Sequence, residues 1–262
     1  MKTFLADAMS ESQRAAEQRE QEVPSGRLEC ILASRALPAP DFPGALRGGG
    51  GPVRIIAEVK RLSPSAGQIN SGASIAETAA TYQRAGAAAV SVLTSAFGFG
   101  GSVGDISEAV AACGIPVLYK DFVSLPYQVL EAAALGASAV LLIADALESN
   151  RIEELARLAR AVGCEALVEV HTEKALERAI DAGARVVGIN NRDLDTLKVN
   201  LETTERLAGL VPPGIIVVSE SGIKTRWDVQ RIEALGVDAL LIGEALMRAP
   251  DPGEMLGELI GR

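Results

Sequence analysis

Along this chain, short apolar runs alternate with helical spacing in a repeating unit. From Val53 onward each β-branched or aliphatic run gives way to a polar loop and then to an amphipathic stretch, at a period of roughly 20 to 35 residues. The pattern predicts strands near 54–60, 88–93, 116–120, 138–144, 165–170, 185–190, 214–219 and 238–242. Helices are predicted near 74–85, 104–113, 126–135, 149–162, 172–182, 201–209, 225–235 and 253–260. Gly86, Gly114, Gly136, Gly163, Gly183 and Gly236 stand just after helices, where a left-handed residue closes a helix at little cost. Thr172 and Thr225 occupy N-cap positions. Continuous apolar strands joined by helices require a parallel sheet covered on its outer face. Eight nearly equal units, with no glycine-rich fingerprint after the first strand, favour closure into a (β/α)8 TIM barrel over an open doubly wound sheet.

The barrel is expected at 53–262 as a single α/β domain, preceded at 1–52 by an N-terminal helical extension and linker. Ala6 to Glu22 is polar and helix-prone. Pro38, Pro40, Pro43 and the run Gly48 to Gly51 then read as a loose connector. Two readings are open for the extension: a solvated, partly mobile segment, or a flap over the barrel mouth. The length of 262 residues agrees with one barrel of roughly 250.

Seven of the apolar runs end on polar or charged residues: IIAEVK (55–60), VSVLTS (90–95), VLYKD (117–121), ALVEVH (166–171), VVGINNRD (186–193), VVSESG (217–222) and ALLIGE (239–244). Burying an unpaired charge costs several kcal/mol or more, so repeated charges at one end of successive strands imply a shared cavity. A barrel builds its active site there, at the C-terminal mouth. Glu58 and Lys60 are two apart and share the face of Ile56, the expected interior. Lys120, Glu169, Asn190, Arg192, Glu220 and Ser221 supply cations and carboxylates suited to acid–base work on an anionic substrate. His171 opens a loop before a helix and is expected to be a surface or packing residue.

A phosphate site is expected at Gly222 and Gly243, where the loops after strands seven and eight and a short extra helix often hold the anion. Glu244 opens that helix, and its side chain is expected to turn away from the phosphate. The loop Leu62 to Gly67, with two serines, can offer hydroxyls and hinge over a ligand.

Composition narrows the function classes. A net charge of -9 and a pI near 4.9 argue against nucleic acid and anionic membrane partners. Three scattered cysteines and one histidine lack metal-ligand spacing and fit a reducing compartment. No signal-like h-region or membrane-length apolar run is present. The expectation is a cytoplasmic chain with no metal, acting as a monomer, or at most a weak homodimer.

The stretches IIAEVKRLSPSAG, AGAAAVSVLT, FGGS, VLYKDF, ALVEVHTE, GINNRDL, TLKVN, VVSESGI and LLIGEALM occur in order between Arg54 and Leu256. Together they resemble the indole-3-glycerol phosphate synthase family of tryptophan biosynthesis. The resemblance implies conversion of 1-(2-carboxyphenylamino)-1-deoxyribulose 5-phosphate to indole-3-glycerol phosphate, with loss of carbon dioxide and water and without metal or organic cofactor. It implies Lys120 as general acid toward the substrate ketone and Glu169 as the acid/base group of the later dehydration. Glu58 and Lys60 match the strand-one pair, Lys60 meeting the substrate carboxylate or phosphate. Asn190, Glu220 and Ser221 complete the implied catalytic set. Ser63, Phe99, Arg192, Gly222, Gly243 and Glu244 match positions around the substrate or its phosphate. Ala66, where the family commonly has lysine, and Tyr119 before Lys120 depart from the pattern and bear on rate or loop behaviour. A specialised indole pathway, or another phosphate-binding barrel of the phosphoribosyl isomerase kind, is the alternative reading.

Overall fold

A computed structural model describes residues 3–35, 37–47, 52–64, 67–70, 72–194 and 196–262. Eight parallel strands close into a barrel: β1 (Arg54–Val59), β2 (Ala89–Leu93), β3 (Val117–Lys120), β4 (Ala139–Ile143), β5 (Glu165–Val170), β6 (Val186–Asn190), β7 (Ile216–Glu220) and β8 (Ala239–Ile242). β1 closes the ring by pairing with β2 (Ile56 beside Ala89) and with β8 (Arg54 beside Ala239). The outer layer is α4 (Ile75–Ala85), α5 (Gly104–Ala112), α6 (Pro126–Leu135), α7 (Ser149–Ala161), α8 (Glu173–Asp181), α9 (Glu202–Leu207), α10 (Arg226–Glu233), α11 (Glu244–Arg248) and α12 (Pro252–Ile260). Ahead of the barrel come α1 (Phe4–Glu22), α2 (Ser25–Ala33) and α3 (Phe42–Leu46).

Strand alternation splits the core in two. Ile55, Ala57 and Val59 point outward into the layer shared with the helices, whereas Ile56, Leu118, Leu141, Leu167, Val218 and Leu241 fill the barrel interior. The expected caps at Thr172 and Thr225 form, accepting the amides of Ala175 and Asp228. Five of the six helix-ending glycines are left-handed, but Gly114 is not. There α5 ends on Cys113 in extended backbone, and the Gly114 amide donates to Gln83 Oε1 at 2.6 Å. The chain enters β3 without a reversing cap.

The N-terminal helices pack against the barrel at both ends. α3 seals the bottom: buried Phe42 and Leu46 lie against Ala89, Ala139, Val186, Ile216 and Ala239, the first residues of five strands. α1 is docked along the side, with Ala8, Ser12 and Ala16 buried at helical spacing. Ser12 donates to Asp121 at 2.9 Å, and Arg19 makes a two-pronged contact to Glu131 at 2.6 and 2.8 Å. Its first residue, Phe4, reaches the mouth and meets the rings of Phe97, Phe99 and Phe122. The glycine run 48–51 of the expected linker lies outside the described residues.

Phe42→Ala is expected to cost about 3–5 kcal/mol through the cavity left under the strands, measured as a lower denaturant midpoint at unchanged m.

Candidate active site

The inward-facing residue near the end of each strand decides what the mouth contains. On β1 the alternation that buries Ile56 carries Glu58 and Lys60 to the same side, and their side chains pair at 2.9 Å. On β3 it places Leu118 and Lys120 inside and turns Tyr119 outward, where its hydroxyl donates toward Asp121 and Glu131. Tyr119 therefore belongs to the packing behind the strand. β5 presents Glu169, β6 Asn190 and β7 Glu220, the last two side by side in register.

Lys120 lies between the two carboxylates. Its ammonium donates to Glu220 at 2.8 Å and to Glu169 at 3.2 Å. Burial alone would lower the lysine's pKa, but Glu220 and Glu169 outweigh it and hold the ammonium above its ordinary value. The carboxylates respond in opposite directions. Burial pushes Glu220 up to about 7 against the pull of Lys120. Burial also acts to raise Glu169, yet Lys120, His171 and a hydrogen bond from Asn190 keep it below the usual carboxylate range. Titratable neighbours driven apart in this way mark acid/base assignments.

Two glycines make room for this arrangement. A Cβ at Gly188 on β6 would strike Glu220 Oε1, and one at Gly243 would come within 2.5 Å of Glu58 Oε1. Close packing at Gly243 is thus established alongside any anion contact. Ser221 and Gly222 both have positive φ, at 65° and 88°. For serine this is an uncommon conformation, of the kind that concentrates at functional sites.

One cavity of about 580 Å³ is lined by every residue singled out from the sequence: Glu58, Lys60, Ser63, Phe99, Lys120, Glu169, Asn190, Arg192, Glu220, Ser221, Gly222, Gly243 and Glu244. Glu244 lines the cavity, and its carboxylate accepts from Arg248 at 3.3 Å and stands 3.9 Å from Arg192 Nη2. Two guanidiniums compensate its charge. Ser65 and Ala66 of the expected phosphate loop lie outside the described residues. His171 does not line the cavity, and of the two expected placements, surface or packing, it takes the packed one. Its side chain is 11% exposed and touches Glu169 from behind.

Sequence reasoning missed an apolar wall formed by Phe4, Phe122, Leu141 and Ile143. Leu141 and Ile143 are inward positions of β4 that strand alternation could have flagged. Phe4 had no local signal, because its place depends on how α1 docks. Asp121, the charged end of the 117–121 run, accepts from Ser12, Thr94 and the Phe122 amide and fixes the turn after Lys120.

A closed barrel with a buried ammonium between carboxylates, facing an apolar-walled cavity, has the form of a (β/α)8 enzyme. A family model described as indole-3-glycerol phosphate synthase matches residues 5–259. Proteins named indole-3-glycerol phosphate synthase from Dehalococcoides mccartyi (45% identical, covering 93% of this chain and 95% of the relative) and Syntrophobacter fumaroxidans (43%, covering 100% and 98%) are similar along their lengths. So is indole-3-glycerol phosphate synthase 2 from Streptomyces coelicolor, at 50% identity over 88% of each chain. The chain belongs to the indole-3-glycerol phosphate synthase family. The match includes α1 and α2, which the motifs alone did not reach. A thiamine phosphate pyrophosphorylase from Pyrococcus furiosus (18% identical, TM-score 0.60, 84% of this chain and 96% of that one) shares the fold.

Gly188→Ala is expected to displace the Glu220 carboxylate and lower kcat/KM by about 10²-fold, with the far-UV circular dichroism spectrum unchanged. A second expectation concerns pH. Glu220 moves from an ordinary 4.5 to about 7 on folding, so the folded chain holds an extra proton between those values. Its contribution is favourable at low pH and is lost as pH rises through 7. Glu220→Gln lacks that drift, so its stability relative to wild type should rise from pH 4.5 to 7 in denaturant titrations.

Proposed function

We propose that the cavity carries out the family's reaction with its own side chains in the following roles. Lys120 donates a proton to the ketone oxygen of 1-(2-carboxyphenylamino)-1-deoxyribulose 5-phosphate while the ring carbon bearing the carboxylate attacks the ketone carbon. Carbon dioxide leaves from that ring carbon and aromaticity returns. Glu169 then takes a proton from the carbon next to nitrogen, and the new hydroxyl departs as water with a second proton. Two protons are delivered and one is withdrawn, so each turnover takes up one proton from solvent.

The arrangement that carries this reading is Lys120 held at 2.8 and 3.2 Å by Glu220 and Glu169 on the cavity floor. An ammonium that is protonated in the resting site beside an ionised carboxylate supplies an acid and a base in one place, each typically worth about 10²- to 10⁴-fold. Phe99, Phe122, Leu141 and Ile143 offer an apolar wall for the substrate's aromatic ring. Lys60 offers a cation to the carboxylate. Ser63, Arg192 and the amides at Ser221, Gly222 and Gly243 suit the phosphate, and Asn190 hydrogen-bonds the intermediate. Local cations on an acidic chain fit a small anionic substrate and disfavour nucleic acid. Among the described residues no helix is long and apolar enough to cross a membrane. A phosphoribosyl isomerase would want a Cys/Asp or Asp/Asp pair at the strand ends, where this mouth sets Glu58, Glu169 and Glu220 around lysines.

The protein alone should convert the anilino-ribulose phosphate to an indole, followed by the appearance of indole fluorescence. Lys120→Ala should lower kcat about 10²- to 10⁴-fold, and near-normal turnover would remove the acid role. Lys60→Ala should raise KM, and an unchanged kcat would limit that residue to binding.

A further inference from the structure

Beyond the cavity wall, the β5 alternation continues one step further, and Leu167, Glu169 and His171 fall on the same side. His171 is the only histidine in the chain. Its Nδ1 lies 2.9 Å from Asp145 Oδ2, and its backbone amide donates to the same oxygen at 3.2 Å. Thr172 Oγ1 donates to the other Asp145 oxygen at 3.4 Å. The carboxylate thus holds the ring at Nδ1 and also holds the backbone that carries it. The other ring nitrogen, Nε2, is sealed from solvent, makes no hydrogen bond to a described residue, and faces Glu169 Oε1 at 3.6 Å. A histidine retained for packing would be satisfied by Asp145 alone. This one directs its second N–H edge at the buried carboxylate.

We propose that His171 is a positioning residue of the reaction: anchored by Asp145, its imidazolium holds the Glu169 carboxylate ionised and aimed at Lys120 from the side away from substrate. This rests on the base role given to Glu169 above. Glu169 is gripped on two sides, by Lys120 at Oε2 and by His171 toward Oε1. The groups facing the imidazole are Asp145 from the loop after β4, Glu169 on its own strand and Glu220 on β7. Lys120 lies beyond Glu169, and Arg178 on α8 donates to the Ala144 carbonyl beside Asp145. The carboxylates outweigh burial and raise the imidazole's pKa, which favours the charged ring. His171 in turn lowers Glu169. Coupling of this kind is reciprocal, so either partner reports on the other.

The sign follows directly. Without the imidazolium, Glu169 protonates at higher pH, and the base is lost on the acid side of the profile. His171→Asn should therefore reduce kcat about 10-fold near pH 6, with the deficit shrinking as pH approaches 8 and KM staying within about twofold. A kcat ratio to wild type that stays constant across that range, or is everywhere near one, overturns the proposal. A second measurement needs no His171 variant. The lone imidazole gives a single set of NMR signals, and its titration midpoint should fall in Glu169→Gln. An unmoved midpoint overturns the proposal as well. Neither readout depends on Lys120→Ala, whose near-normal turnover would remove the acid assignment while leaving the His171–Glu169 coupling measurable.

Discussion

The buried ammonium of Lys120 is the interaction on which the site depends. An unpaired ammonium at that depth would lose its proton or unfold the mouth. Glu220 and Glu169 prevent this, and they come from β7, across the ring from β3, and from β5, two strands along from it. Three separate strands must therefore end at the same height, which only a closed barrel with fixed register supplies. The fold and the chemistry impose one requirement on each other. The barrel makes the triad possible, and the triad would be intolerable without the barrel. A buried charge cluster adds little to stability, so the apolar interior layer of Ile56, Leu118, Leu167 and Val218 beneath it, closed below by Phe42 and Leu46, must hold the ring together.

Much of this was legible in the sequence, because strand periodicity is a local property. The eight strands, the Thr172 and Thr225 caps and the convergence of Glu58, Lys120, Glu169 and Glu220 on one space all follow from alternation combined with closure. Features set by tertiary docking were not legible. The stripe Ala8, Ser12, Ala16 looks like an ordinary polar helix until Asp121 and Glu131 are found opposite Ser12 and Arg19. Phe4 could not be assigned to the cavity without knowing where that helix begins in space. Gly114 looked like its five counterparts, yet a side-chain acceptor from the neighbouring helix replaced the left-handed cap.

Glu244 and His171 were each read from the residue's own charge or its place before a helix, and each has a partner distant in sequence, Arg192 for Glu244 and Asp145 for His171. Glu244 remains at the cavity edge because Arg192 and Arg248 compensate it. That places a carboxylate 3.9 Å from a guanidinium on the cavity wall.

The glycines in the walls limit how such a site can vary. At Gly188 the missing Cβ is the space occupied by a Glu220 oxygen, and at Gly243 it is space taken by Glu58. Neither position needs an unusual backbone, since neither has positive φ. Any larger residue there would move a carboxylate, and through it the lysine that carboxylate holds. Positions that look like neutral strand and turn glycines are thus tied to the electrostatics of the mouth. The charge that Lys120 bears at neutral pH depends on side chains that were left out of the barrel wall as much as on those built into it.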